Sequence, residues 1–230
     1  MKLFNHVGLI EPIEMNTVNI DGRRYYNTPT GNKHKSVTTV ISNNPKKQEV
    51  LAKWRARVGE QKANQISTRS CTRGNRYHKL VENYLNNEHD TTLYQEYPLV
   101  WVMFNSSRKI LDNINNIYLQ EAGLYSDFLG IAGRVDCIAE YNGKLSIIDF
   151  KTSAEEKKEE YLYDYYVQET AYACMLQELY SIKVEQLVTI VACESGDTQV
   201  SIQPPKKEYF IKLQEYIRDY ENRYERDLRG

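Results

Sequence analysis

Asp149 and Lys151 stand two residues apart in "GKLSIIDFKTS" (143–153), where Leu145, Ile147, Ile148 and Phe150 spell a buried strand. An unpartnered carboxylate in such a strand costs several kcal/mol or takes up a proton. A second acid lies within reach of the first. Asn142-Gly143 is a two-residue hairpin signal, and with that loop Tyr141 pairs with Lys144. Extending the register sets Asp136 opposite Asp149 and Arg134 opposite Lys151. Side chains alternate along strands, so these four share one face. Opposed Cβ atoms lie about 4.5–5.5 Å apart, and like charges there repel. Three arrangements relieve the repulsion. Lys151 and Arg134 can form a structural charge cluster, a divalent ion such as Mg²⁺ or Mn²⁺ can take the hard oxygen ligands, or the carboxylates can share a proton.

Further polar residues fall on helices around this hairpin. In "TRGNRYHKLVENYL" (72–85), Tyr77, Leu80, Val81, Tyr84 and Leu85 form an amphipathic stripe. His78 lies on its edge with Glu82 one turn later, the place of an ordinary boundary histidine or of a ligand. Gln168 and Tyr172, four apart in "YYVQETAYACML", point one way and suit helix–helix hydrogen bonding as well as a site.

The elements that must position these residues are legible in outline. Asp21-Gly22 predicts a hairpin at 18–26. "SVTTVIS" (36–42) reads as a short strand or as a turn entering a helix. Helices are predicted over 45–66, with Pro45 in the first turn, over 72–85 and over 98–120. A β-rich block to about 151 follows, then an acidic connector, a helix over 164–180, a strand over 184–195 and an amphipathic helix over 206–228. The mixture predicts an α/β fold. Length and organisation predict a single domain over 1–230, with a basic hairpin and helical elaboration at 1–70, a core at 71–200 and a C-terminal helix at 204–230.

Composition, at 41% hydrophobic and 27% charged, is that of a globular protein. Nothing approaches the roughly 18 apolar residues of a membrane span. Cys71, Cys137, Cys174 and Cys193 are scattered without a CxxC pair, against a zinc or iron–sulfur site and for a reducing, cytoplasmic setting. The net charge of −1 hides an asymmetry: residues 1–80 hold 15 Lys/Arg against 5 Asp/Glu. Such a front half suits a polyanion, and equally a solvated surface.

Taken in order, Gly-xxx-His in "GNRYHKLVENYL", Gly-Arg-Val-Asp and Ile-Ile-Asp-Phe-Lys-Thr in "GIAGRVDCIAEYNGKLSIIDFKTS", and Gln-xxx-Tyr in "YYVQETAYACM" resemble the PD-(D/E)XK nuclease superfamily, in its RecB-like branch. The upstream "SVTTVIS" and "LAKWRARVG" are similar to phage and mitochondrial genome-maintenance exonucleases acting on single-stranded DNA ends. The resemblance covers roughly residues 20–195. It implies a restriction-endonuclease-like core, a mixed sheet flanked by helices. It implies Asp136, Asp149, His78 and the main-chain carbonyl of Phe150 as ligands of one or two Mg²⁺ or Mn²⁺ ions. Lys151 would orient the attacking water, and Gln168 and Tyr172 would position a phosphate or brace Lys151. Glu121, in "LQEAGLYS", is a secondary candidate. No cysteine cluster is present, so no iron–sulfur cluster is expected.

The implied activity is a metal-dependent DNA exonuclease on single-stranded or free ends, in recombination, repair or degradation. The expected setting is a bacterial or phage-infected cytoplasm, with a helicase or single-strand-binding protein as possible partner. Lys53, Trp54, Arg55, Arg73, Arg76 and Arg134 are the candidate DNA contacts. A duplex endonuclease of the same fold and a non-catalytic nucleic-acid-binding or helicase-associated module are the alternatives.

Overall fold

The computed structural model describes residues 2–88 and 96–224. Two antiparallel strands, β1 (Asn16–Ile20) and β2 (Arg23–Asn27), turn at Asp21 and Gly22, both in the left-handed region with φ of 50° and 76°, as a type I′ hairpin requires. β3 (Lys33–Ser36) leads straight into α1 (Val37–Ser42), so "SVTTVIS" is the entry to a helix. α2 (Pro45–Val58) is capped by the Asn44 side chain, which accepts from the Lys47 amide at 2.9 Å.

Gly59, at φ 86°, ends α2, and α3 runs unbroken over Glu60–Leu85. Two expected boundaries therefore move: the helix predicted over 45–66 breaks at Gly59, and residue 70 lies inside α3. The signal was weak because the middle of α3 is largely exposed and carries no apolar stripe. α4 (Pro98–Leu111) also stops early, and β4 (Ile114–Ser126) occupies ground read from sequence as helix. Irregular pairing between Asn115 and Leu119 disturbs the period-2 pattern that would have marked the strand.

β5 (Ile131–Tyr141) and β6 (Lys144–Ser153) form the central hairpin, with φ of 52° at Asn142 and 76° at Gly143. Then come α5 (Glu159–Tyr180), β7 (Gln186–Cys193), β8 (Thr198–Gln203) and α6 (Lys207–Tyr224). β8 went unread because it is a half-buried polar edge strand. Residues 225–228 of the expected last helix lie outside the described residues.

All eight strands join one mixed sheet in the order β1-β2-β3-β5-β6-β7-β8, with β4 on the other edge of β5. Alternate residues of the central strands serve opposite layers. Ile138, Ile147, Leu187 and Val191 pack with α1, α5 and α6. Cys137, Ile148, Val188 and Ile190 pack with α3 and α4. β7 is buried along its whole length and reads as a continuous apolar run.

The feature that positions the site is a divided strand edge. Along one side, β5 pairs first with β3, at Ile131 and Ala132, and later with β6, from Cys137 to Tyr141. Residues 133–136 have no pairing on that side. Into the gap reaches Tyr172 of α5: a Cβ on Gly133 would lie 2.8 Å from its Cε1 and 2.9 Å from its hydroxyl. Gly133→Ala is therefore expected to destabilise the fold by about 1–3 kcal/mol. Denaturant unfolding should show that cost shrinking toward zero in a Tyr172→Ala background; equal costs in both backgrounds would contradict the contact.

Candidate active site

Asp149 in β6 is only 1% exposed. Its Oδ1 accepts from Gln168 Nε2 of α5 at 2.9 Å. Its Oδ2 meets Lys151 Nζ in an ion pair. Lys151 Nζ also lies 5.2 Å from the centre of the Tyr165 ring, a cation–π contact. β6 alternation sends Asp149 and Lys151 to the α5 side while Phe150 packs toward α3.

The predicted hairpin register holds over the five observed pairs, from Tyr141↔Lys144 to Cys137↔Ile148. There the ladder ends. Asp136 makes no strand pair with Asp149; its Oδ2 instead accepts from the Phe150 amide at 2.8 Å. Arg134 does not face Lys151. It pairs across to Gly123 of β4 and its Nε donates to Glu121 Oε2 at 2.8 Å. The single face expected for all four charges is thus corrected: the strands part where β5 turns toward β3.

His78 of α3 completes the group. Its Nδ1 lies 3.7 Å from Asp136 Oδ1 and 3.7 Å from Glu121 Oε1, and its ring stands edge-on to Phe150 at 6.3 Å. One ligand atom each from His78, Glu121 and Asp136 fall within 4.8 Å of one another. Glu121 occupies the β4 position facing Asp136, between the pairs Gln120↔Cys137 and Ala122↔Val135, and its φ is 48°. A left-handed backbone in a non-glycine residue costs about 1–2 kcal/mol, and such strain gathers at functional sites.

An imidazole and two carboxylates converging beside a third, buried carboxylate suit a hard divalent cation. The residues present fit such an ion. Asp149 itself stands outside the tight trio, and Phe150 contributes its amide to Asp136. Tyr172 is buried against Gly133, behind the carboxylates.

Two residues, Tyr165 and Glu169, escaped the sequence reading. Tyr165 sits one helical turn before Gln168. Glu169, fully buried, accepts from Thr189 Oγ1 of β7, while its Oε2 has no partner. A charged residue inside the apolar run of α5 was the available signal, but spacing alone does not aim it at the sheet. Of the candidate DNA contacts, Arg73 and Arg76 share α3 with His78. Arg73 reaches Thr152 and Glu194, and the Arg76 guanidinium lies 3.3 Å from the Tyr97 ring centre. Lys53, Trp54 and Arg55 ride on α2, which buries nothing; Lys53 pairs with Glu49 and Arg55 with Glu60.

The sequence matches the PD-(D/E)XK nuclease superfamily over residues 48–229. The chain belongs to this superfamily. As in other PD-(D/E)XK proteins, its core is a mixed sheet flanked by helices. The human protein named mitochondrial genome maintenance exonuclease 1 is 28% identical over 206 residues, 81% of this chain and 59% of the relative. The mouse protein of that name is 29% identical over 170 residues, 70% of this chain and 50% of the relative. The chain thus spans between half and three-fifths of the length of these relatives. A crystal structure from Eubacterium rectale superposes on 64% of this chain and 64% of that one, at TM-score 0.41 and 12% identity. Among the described residues, no helix is long and apolar enough to cross a membrane.

The cluster has a marked electrostatic signature. Burial raises the Asp149 pKa from 3.8 to about 6 against the pull of Lys151. Burial opposes the charge on Lys151, but Asp149 and Asp136 hold its pKa above the ordinary lysine range. Burial likewise opposes the charge on His78, and Asp136 and Glu121 outweigh it, lifting its pKa from 6.5 to about 9. Glu169 is pushed well above the carboxylate range by burial and by Asp149.

A stability profile follows. Folded Asp149 and folded His78 both hold a proton more tightly than the unfolded chain does. Their contributions are complete below the unfolded values and lost as pH rises, from 3.8 to about 6 for Asp149 and from 6.5 to about 9 for His78. Metal-free protein should therefore lose about 2 kcal/mol between pH 6.5 and 9 through His78. That is a fall of ~4–8 °C in thermal midpoint, and it should flatten in His78→Gln. Scanning fluorimetry in EDTA checks this, and an equal slope in the variant would refute it.

Proposed function

We propose that this protein is a divalent-metal-dependent deoxyribonuclease that hydrolyses phosphodiester bonds from the free ends of single-stranded DNA. The observation that carries the reading is the convergence of His78, Glu121 and Asp136 within 4.8 Å, beside the buried Asp149–Lys151 pair. The names of the relatives support the exonuclease class. The basic front half of the chain supports a polyanionic substrate.

In this reading His78, Asp136, Asp149, Glu121 and the Phe150 carbonyl hold Mg²⁺ or Mn²⁺. When bound, such an ion supplies a water of lowered pKa and offsets charge on the scissile phosphate. The rest falls to the side chains. The Phe150 amide fixes one Asp136 oxygen and leaves the other turned to His78. Gln168 fixes Asp149 Oδ1 and so aims Oδ2 at Lys151. Lys151, kept cationic by the acids beside it, orients the attacking water and meets negative charge that develops on the phosphate oxygens. Tyr172, seated on Gly133, holds α5 and hence Gln168 at its distance from the sheet. Arg73, Arg76 and Arg134 lead the backbone to the carboxylates, and Lys53, Trp54 and Arg55 on α2 extend that track.

Asp149→Ala is expected to lower Mg²⁺-dependent cleavage by about three orders of magnitude while DNA binding persists. Digestion of 5′- and 3′-labelled single-stranded and duplex DNA, with Mg²⁺, Mn²⁺ or EDTA, provides the measurement. Undiminished cleavage by the variant would sink the catalytic assignment. Rapid cutting of circular single strands would replace the exonuclease reading with an endonuclease one.

A further inference from the structure

Past the C-terminal end of β6 lies a second cavity, about 450 Å³, lined among others by Arg69, Arg73, Thr152, Ser153, Lys157 and Glu194. Arg73 and His78 stand five residues apart on α3, about 7.5 Å along its axis, and Thr152 directly follows Lys151. The cavity thus adjoins the carboxylate site without sharing its residues.

The charge arrangement inside is unusual. Glu194 follows β7, with its amide donating to the Ser153 carbonyl at 3.0 Å. Its carboxylate is forked: Oε1 pairs with Arg73 and Oε2 with Arg69 at 3.1 Å. Arg73, whose side chain is 10% exposed, also donates Nε to Thr152 Oγ1 at 3.1 Å. The Lys157 main chain is clamped by the Gln199 side chain, which accepts its N–H at 2.9 Å and donates to its carbonyl at 2.8 Å. Among the described residues the Lys157 ammonium pairs with no carboxylate. Burial, then Lys47 and Arg73, push its pKa down. Two arginines therefore share one carboxylate, and a third cation lines the same cavity.

We propose that this cavity is a second phosphate subsite, which holds the phosphodiester next to the scissile one, and that Glu194 occupies it until the substrate displaces it. The inference rests on the nuclease reading above. A carboxylate that gives one oxygen to each of two arginines presents the same fork as the two non-bridging oxygens of a phosphodiester. Lys157 and the hydroxyls of Thr152 and Ser153 then offer donors that Glu194 does not use. Glu194 keeps Arg69 and Arg73 oriented before substrate arrives and competes with it afterwards. Phosphate entry at this point exchanges one internal anion for another, so it releases little counterion.

Binding without turnover tests this. An oligothymidylate with hydroxyls at both ends and an internal fluorophore is titrated in EDTA, by anisotropy, across a salt series. Glu194→Gln is expected to bind about 5-fold tighter, and its slope of log K against log salt should steepen by about 1. Arg69→Ala with Lys157→Ala should weaken binding ~10-fold, and Glu194→Gln added to that pair should bring no gain.

Unchanged affinity and slope in Glu194→Gln, or weakened binding, would overturn the proposal and leave Glu194 as a clamp between α3 and β7. If that variant does not fold, Arg69→Ala decides, since its side chain is 68% exposed; wild-type affinity there overturns the subsite. A response seen only when the oligomer carries a 5′-phosphate would make the ligand a terminal monoester and overturn the diester form. A wild-type protein that neither binds nor cleaves DNA defeats the nuclease reading itself. One that does both, with variants that match it, defeats only the subsite.

Discussion

The ion pair between Asp149 and Lys151 is the interaction on which the rest of this structure turns. A carboxylate 1% exposed in the middle of a sheet is tolerated only where cation and hydrogen bonds offset its desolvation. Both come from nearby. Lys151 is two residues on in the same strand, hence on the same face, and Gln168 projects from the helix packed over that face. The compensation is incomplete, because burial still lifts the Asp149 pKa to about 6 against the pull of Lys151. A core built for stability alone would close that shortfall with a further donor. Here the charges of Asp136 and His78 act on Asp149 instead.

The gap between the strands exists because β5 serves two partners along one edge. Its first residues belong to β3 and its last to β6, and the short stretch between is where backbone pairing yields to side chains. Asp136 sits in that stretch and satisfies the amide of Phe150, which the ended ladder leaves without a strand partner. On the other edge, β4 brings Glu121 level with Asp136 in a left-handed conformation. Strain, broken pairing and a buried charge thus coincide at one spot, the pattern expected where function opposes regularity.

Around this centre the charge is graded. Inside, Asp136 and Glu121 raise the His78 pKa against its burial. Outside, α3 carries arginines from the carboxylates outward, and α2 beyond Gly59 buries none of its residues. Trp54 and Val58 are only half-buried, so the helix gains little from the core. Its basic side chains lie at the surface, where Lys53 pairs with Glu49 and Arg55 with Glu60.

Much of this was readable in the residues. The Asn142-Gly143 turn set the hairpin register because a type I′ turn admits little else. The apolar stripe placed His78 on the edge of its helix, and the four ordered motifs carried the family. What local rules determine, the sequence determined by itself: turn type, strand alternation, helix faces and the residue types at the site. It did not show that the β5–β6 ladder stops one pair before the two aspartates, since that depends on β3 arriving from a hundred residues earlier. Nor did it show that Arg134 answers Glu121 rather than Lys151, that Glu169 lies behind the site on Thr189, or that Glu194 bridges two arginines of α3. Each of these is a contact between elements distant in the chain. Only the packed sheet, with its helices on both faces, decides which charges meet, because Coulomb energy depends on separation in space and not along the sequence.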